Sequence, residues 1–212
     1  MAIQRGCLGP ISGKLGDRVY VIKNGVNYVR SLPRKTLKPA TEKQLIYRAK
    51  FGLVSGFLCQ IGWILNAAYK VSNPKKSGKG IAFRQILDEA VTGDYPDLEI
   101  DYAKVKLIQG SLEEPHKISV QAEKPGQLSF SWSFYQRFDT SPADELLVLV
   151  YCISLKEFWY NDRTGIRRSD ESGSIRLPEE FAGKECCLWL FYRSVLQNAC
   201  SDSVYLGKVI TN

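Results

Sequence analysis

The 212-residue chain has one histidine (His116), six cysteines and 29 lysines and arginines, and these are the side chains through which it could do chemistry. His116 sits behind Pro115 in the stretch LEEPHKI. A general base needs a nucleophile and an orienting carboxylate around it in space. The local sequence supplies only Glu113 and Glu114, which read as surface groups, so His116 reads as a solvated turn residue. The cysteines (Cys7, Cys59, Cys152, Cys186, Cys187 and Cys200) form no CxxC pair, and no histidine lies at zinc-ligand spacing. They are too sparse for a disulfide scaffold, and the neighbours Cys186 and Cys187 cannot readily bridge each other, so they are expected to be reduced thiols packed as small hydrophobes. Two glycine-rich stretches, GPISGKLG and KKSGKG, invite comparison with a phosphate loop. That loop needs four residues between its glycines and a hydroxyl residue after its lysine. Three residues separate Gly9 from Gly13, Lys14 precedes Leu15, and Lys79 precedes Gly80, so both fail. No cofactor and no metal are expected. Carboxylates scattered through the rear half leave one enzymatic reading open, a hydrolase with two acidic groups on loops.

The basic front is the remaining feature. SGKLGDRVYVIKNGVNYVRSLPRK, Ser12 to Lys35, has six cations and one carboxylate interleaved with Val, Ile and Tyr. Residues 1–92 hold 16 Lys and Arg against 4 Asp and Glu, whereas residues 93–212 hold 13 against 18, so the overall +7 divides into +12 and −5. Lys14, Arg18, Lys23, Arg30, Arg34, Lys35, Lys38 and Lys43 form a candidate basic binding surface, with Tyr20 and Tyr28 among them as candidate exposed aromatics. Cations beside rings suit nucleic acid, where ion pairs release counterions and rings stack on bases. They equally suit an acidic protein or self-assembly, which is the favoured reading; the plain alternative is a solvated face. Farther on, EFWYNDRTGIRRSD sets Phe158, Trp159 and Tyr160 in a row on a strand. They cannot all face inward, so Trp159 and Tyr160 are further candidates for exposure, able to hold a sugar ring or a partner; otherwise the ring covers an edge.

Local patterns define the elements that would position these groups. Asn24-Gly25 between Arg18–Lys23 and Val26–Arg30 is a strong hairpin signal, because a type I′ turn needs positive φ at both central residues. Pairing Lys23 with Val26 puts Val19, Val21, Val26 and Tyr28 on one face and Tyr20, Ile22 and Val29 on the other. Pro33 and Pro39 keep the basic connector out of helix. Thr41 to Gln44 reads as a capping box, followed by apolar residues every four positions from Leu45 to Leu65: a long helix. Within it, Phe51 to Tyr69 is uncharged for nineteen residues, about the length a bilayer requires. Gln60, Asn66 and the amphipathic stripe argue against a membrane span. A second helix is expected over Ile81–Val91, closed by Gly93.

From residue 94 the period becomes two. QLSFSWSF alternates Leu128, Phe130, Trp132 and Phe134 with serines. Further strands are expected at Val105–Gln109, Lys117–Ala122, Leu146–Ile153, Glu157–Tyr160, Ser174–Leu177, Glu185–Arg193 and Ser203–Ile210. This pattern predicts an α+β protein: a basic N-terminal β-hairpin and two helices (1–93) packed with a C-terminal antiparallel β-sandwich (94–212) of immunoglobulin or fibronectin type III kind. No signal peptide is evident in MAIQRGCLGP, so a cytoplasmic location is expected.

Taken together, GPISGKLGDRVYV, NYVRSLPRK, YPDLEIDYAKVKLIQGSL, LSFSW, IRLPEEFAGKECCLWLFYRS and SVYLGKV resemble, nearly end to end, a family of uncharacterised bacterial proteins common in gut bacteria and known only as a domain of unknown function. The resemblance implies a non-secreted protein with a β-rich C-terminal part and assigns no activity, ligand or catalytic residue. Cys186-Cys187 and Phe134 to Arg137 depart from the family's pattern.

Overall fold

The computed structural model describes residues 2–3, 11–23, 25–33, 39–72, 77–124, 126–136, 140–161, 165–194 and 199–211. The chain forms two compact units, Met1–Thr41 and Glu42–Asn212.

In the first unit, β3 (Arg18–Lys23) and β4 (Val26–Ser31) form the expected hairpin, with Lys23 opposite Val26, Val21 opposite Tyr28 and Val19 opposite Arg30. Gly25 supplies the left-handed φ of +75° that the turn demands; Asn24 lies outside the described residues. The hairpin is the centre of a four-stranded sheet. β1 (Ala2–Ile3) pairs with β4, and β2 (Gly13–Leu15) pairs with β3 through Lys14 opposite Val19. The glycine-rich segment around Gly13 is therefore an edge strand.

The second unit begins with α1 (Glu42–Leu58) and α2 (Gly62–Ser72). The single long helix expected here breaks at Cys59–Ile61, and Glu42–Leu58 meets Gly62–Ala68 at 77°. Gln60 is held at the corner: its Oε1 accepts from the Phe158 backbone N–H at 2.7 Å and its Nε2 donates to the Lys156 carbonyl at 3.4 Å. Beyond the corner, Ile61, Ile64, Leu65 and Ala68 continue the buried stripe of Val54, Phe57 and Leu58. No single helix among the described residues is long and apolar enough to cross a membrane, although the bent pair has the length and composition to do so. α3 (Gly78–Gln85) is capped by Ser77, whose Oγ accepts from Gly80 N–H, and it runs on as a π-helical turn, Ile86–Ala90. A two-stranded ribbon follows, β5 (Val91–Thr92) with β6 (Glu99–Ile100).

Val105–Gln109, read from its apolar residues as a strand, forms none. Its backbone is satisfied otherwise: the Trp189 indole donates to the Val105 carbonyl at 3.1 Å, and Ser203 Oγ accepts from the N–H groups of Leu107 and Ile108. The other expected strands form. β7 (His116–Lys124), β8 (Gln127–Ser133) and β11 (Ser172–Arg176) make a three-stranded sheet, ordered β11-β8-β7. β9 (Glu145–Cys152), β10 (Glu157–Tyr160) and β12 (Glu185–Ser194) make the larger sheet, with β13 (Ala199–Cys200) and β14 (Val204–Ile210) sharing the free edge of β12. All pairings between these strands are antiparallel.

Alternate residues of the larger sheet enter two cores. Leu146, Val148, Val150, Leu188 and Leu190 face Leu128, Phe130, Trp132 and Ile175 of the smaller sheet. Leu149, Tyr151, Trp189 and Phe191 face the helices, packing on Phe57, Ile61 and Leu65. The result is an α+β sandwich of two antiparallel sheets with a third layer of helices. Those helices share a core with the sandwich, so the compact units divide between Thr41 and Glu42, not at the boundary drawn from charge and period near residue 93.

Candidate functional site

The first unit holds eight Lys and Arg and one Asp, equal to the chain's whole excess of +7; the 21 cations and 21 carboxylates of residues 42–212 cancel. Strand register sorts its side chains. Lys14, Lys23 and Arg30 share one sheet face with Val19, Val21, Val26 and Tyr28, while Arg18 lies on the other with Leu15, Tyr20 and Ile22. Those four cations are exposed, and no described residue of this unit that has an assigned burial is buried. Among the described residues the unit has one ion pair, Arg18 with Asp17 at 3.9 Å. Arg34, Lys35 and Lys38 lie outside the described residues, and Lys43 is exposed in the first turn of α1, within the second unit.

All four candidate exposed aromatics are half-buried. In the hairpin, Tyr20 stands opposite Val29 and Tyr28 opposite Val21. On β10, both sheet faces are covered: Trp159 packs on the sandwich core, Phe158 and Tyr160 on the helix-side core. Among the described residues the exposed rings are others, Tyr47, Phe51, Trp63, Tyr95 and Tyr135.

Trp63 flags a feature that the sequence did not. The residue is 56% exposed, and its ring meets Tyr160 edge-on at 5.2 Å. The two stand at a cleft of about 440 Å³ between α2 and the helix-side face of β9, β10 and β12, floored by Leu147, Leu149 and Phe191. At its other end, Arg193 Nη2 donates to Glu145 Oε2 at 2.5 Å. Asn161 also lines the cleft, but its amide is engaged as a substitute strand: Oδ1 accepts from Val148 N–H at 2.5 Å and Nδ2 donates to the Leu146 carbonyl at 3.1 Å.

Several titratable groups elsewhere in the second unit are engaged by neighbouring groups or buried. Arg168, 3% exposed, has its Nε 3.3 Å from Asp144 Oδ2, donates through Nη2 to the Glu113 carbonyl at 3.0 Å, and lies 3.9 Å over the Tyr192 ring. Trp132 Nε1 donates to the Arg168 carbonyl at 2.9 Å. His116 Nε2 is 2.9 Å from Glu113 Oε1. Burial pushes the Cys186 thiol up to about 12 and those of Cys187 and Cys200 up to about 11, the opposite of nucleophile activation. Burial likewise raises Tyr102, Tyr151 and Tyr205 around Cys187. Among the described residues, no group of three or more His, Cys, Asp or Glu could hold a metal ion.

Residues 10–207 match a family of unknown function, DUF6266. The chain belongs to DUF6266. That is the kind of family its sequence blocks resemble, and membership carries no assigned activity. No curated protein matches the sequence. A crystal structure of chicken CNTN1 FN1-FN3 domains is similar over 49% of this chain at 11% identity with a TM-score of 0.35, and the match spans 33% of that structure.

Proposed function

We propose that this DUF6266 member is a non-enzymatic binding or assembly protein whose N-terminal unit engages an acidic partner protein. One observation carries the reading: the entire net charge of +7 belongs to residues 1–41, and three of the four described strand cations ring Val19, Val21, Val26 and Tyr28 on one face. A small apolar centre inside a charged rim is how interfaces combine burial with steering of a complementary partner. The second unit is neutral overall, so net charge gives no drive toward a second copy, and the counter-charge belongs to a different molecule. Nucleic acid is the second reading, favoured by the same cations beside Tyr20 and Tyr28; it ranks behind because those rings are half-buried and offer little stacking face. The hydrolase reading ranks last, since Asp144, Glu145, Glu113 and Glu185 are each engaged by a cation or histidine. Cytoplasmic residence belongs to the proposal, and the buried free thiols support it.

Anisotropy titrations of the full chain against labelled polyglutamate, DNA and RNA at two salt concentrations separate the readings. Polyglutamate binding that weakens with salt is the expected result. Tighter binding to DNA or RNA would promote the second reading, and no binding to any probe at low salt would remove both. Light scattering against the 23.9 kDa monomer mass tests self-assembly.

A further inference from the structure

The cleft beside Trp63 is independent of the basic unit and has the make-up of a small-molecule site. Its volume of about 440 Å³ lies within the roughly 300–1,000 Å³ typical of such sites. Its floor is apolar, one end is aromatic and the other is polar. The indole of Trp63, a residue 56% exposed, beside a second ring offers a flat surface that water solvates poorly. From this geometry we infer that the cleft binds a small, flat, uncharged molecule that pairs an aromatic ring with a carbonyl acceptor.

Each part of that description follows from a group that lines the cleft or, for Glu145, that pairs with one that does. Trp63 and Tyr160 set the ring: an edge-to-face pair presents a face and an edge to a third ring, which can complete the cluster. Arg193 sets the acceptor. Its side chain is 41% exposed, and among the described residues Glu145 is its hydrogen-bond partner, through Nη2. A guanidinium carries five donors in a fixed fork, so donor capacity remains for a ligand oxygen. Glu145 sets the charge. It already balances Arg193, and a ligand carboxylate would add an uncompensated negative charge next to that carboxylate and an apolar floor. A neutral amide or ketone oxygen meets the guanidinium without that cost. Asn161 contributes no recognition, because its amide is held by the β9 backbone.

The test uses benzamide and benzoate, which share a ring and differ in charge, with the full-length chain followed by amide and indole NMR. Benzamide is expected to shift the Trp63 indole resonance and the amides of Leu147, Leu149 and Phe191 saturably, with a dissociation constant on the order of millimolar, the scale for a fragment of about nine heavy atoms. Benzoate should bind at least about tenfold more weakly. Trp63→Ala, at an exposed position, should keep the melting temperature and weaken benzamide at least about tenfold, and Arg193→Lys should narrow the preference for benzamide over benzoate. Shifts that do not saturate or that centre elsewhere, an unchanged affinity in a folded Trp63→Ala, or benzoate binding as tightly as benzamide would each overturn the proposal.

Discussion

Replacing Asp144 with alanine should destabilise the second unit by about 3–5 kcal/mol, the cost of leaving one member of a buried ion pair without the other. Asp144 and Arg168 are 1% and 3% exposed, so water cannot take over the role of the lost carboxylate. The guanidinium keeps its bond to the Glu113 carbonyl and its place over Tyr192, but its charge is then uncompensated inside the sandwich. Arg168→Met should cost about the same, because among the described residues it leaves the Asp144 carboxylate with the Ser141 N–H at 3.3 Å as its remaining partner. The double variant removes both charges, and a pair in direct contact should couple by about 1–3 kcal/mol, making the double cost less than the sum of the singles. Urea titrations give each free energy from midpoint and slope. At roughly 2–4 °C per kcal/mol for a chain of this size, Asp144→Ala should melt about 6–20 °C lower. A loss under about 1 kcal/mol, or single costs that add to within about 0.5 kcal/mol, would show that the pair is not buried and coupled as described.

Further outcomes follow from other contacts. A Cβ on Gly110 would lie within bond-length range of the Cys200 carbonyl oxygen, 1.8 Å away, so Gly110→Ala must displace the β13 edge and should cost about 1–3 kcal/mol or more in thermal melts. Asn161→Ala leaves the Val148 N–H and Leu146 carbonyl without their side-chain partners inside the sheet and should cost about 2–4 kcal/mol by urea titration. Iodoacetamide at pH 8 should label exposed Cys59 well before buried Cys152, Cys186, Cys187 and Cys200, as read by peptide mass spectrometry. Because burial raises Cys186 and Cys187 from an ordinary 9.0 to about 12 and 11, their contribution to stability is complete below pH 9 and disappears as pH rises through the folded values. Between those limits each thiol should lower stability by about 1.4 kcal/mol per pH unit, and serine at both positions should flatten that slope.

The hairpin was legible to the residue because Asn-Gly fixes the turn and the period of two fixes every pair after it. LSFSW was equally plain: serines on one face and large apolar groups on the other can only be a strand with one buried side. The corner at Cys59–Ile61 was hidden, because the apolar stripe runs through it and the bend depends on Gln60 meeting the β10 backbone, 96 to 98 residues away. Val105–Gln109 misled for a similar reason, since its backbone meets the Ser203 hydroxyl and the Trp189 indole, which no local pattern announces. The helix layer did leave a signal. LLVLVYC and CCLWLFY are apolar almost without interruption, as strands covered on both faces must be, and that pattern argues against a boundary near residue 93. Trp63 left none, being one apolar residue in an apolar helix.

The salt needed to elute the full chain from a heparin column, compared with that for a Lys14→Gln, Lys23→Gln, Arg30→Gln variant, tests whether the basic sheet face binds polyanions. All three side chains are exposed strand residues, so the variant should fold and melt as the parent does. If the basic sheet face is what meets a polyanionic partner, the variant elutes at clearly lower salt, because three fewer counterion-releasing contacts remain. Equal elution of the two proteins, with both folded, would contradict the claim that this face does the binding.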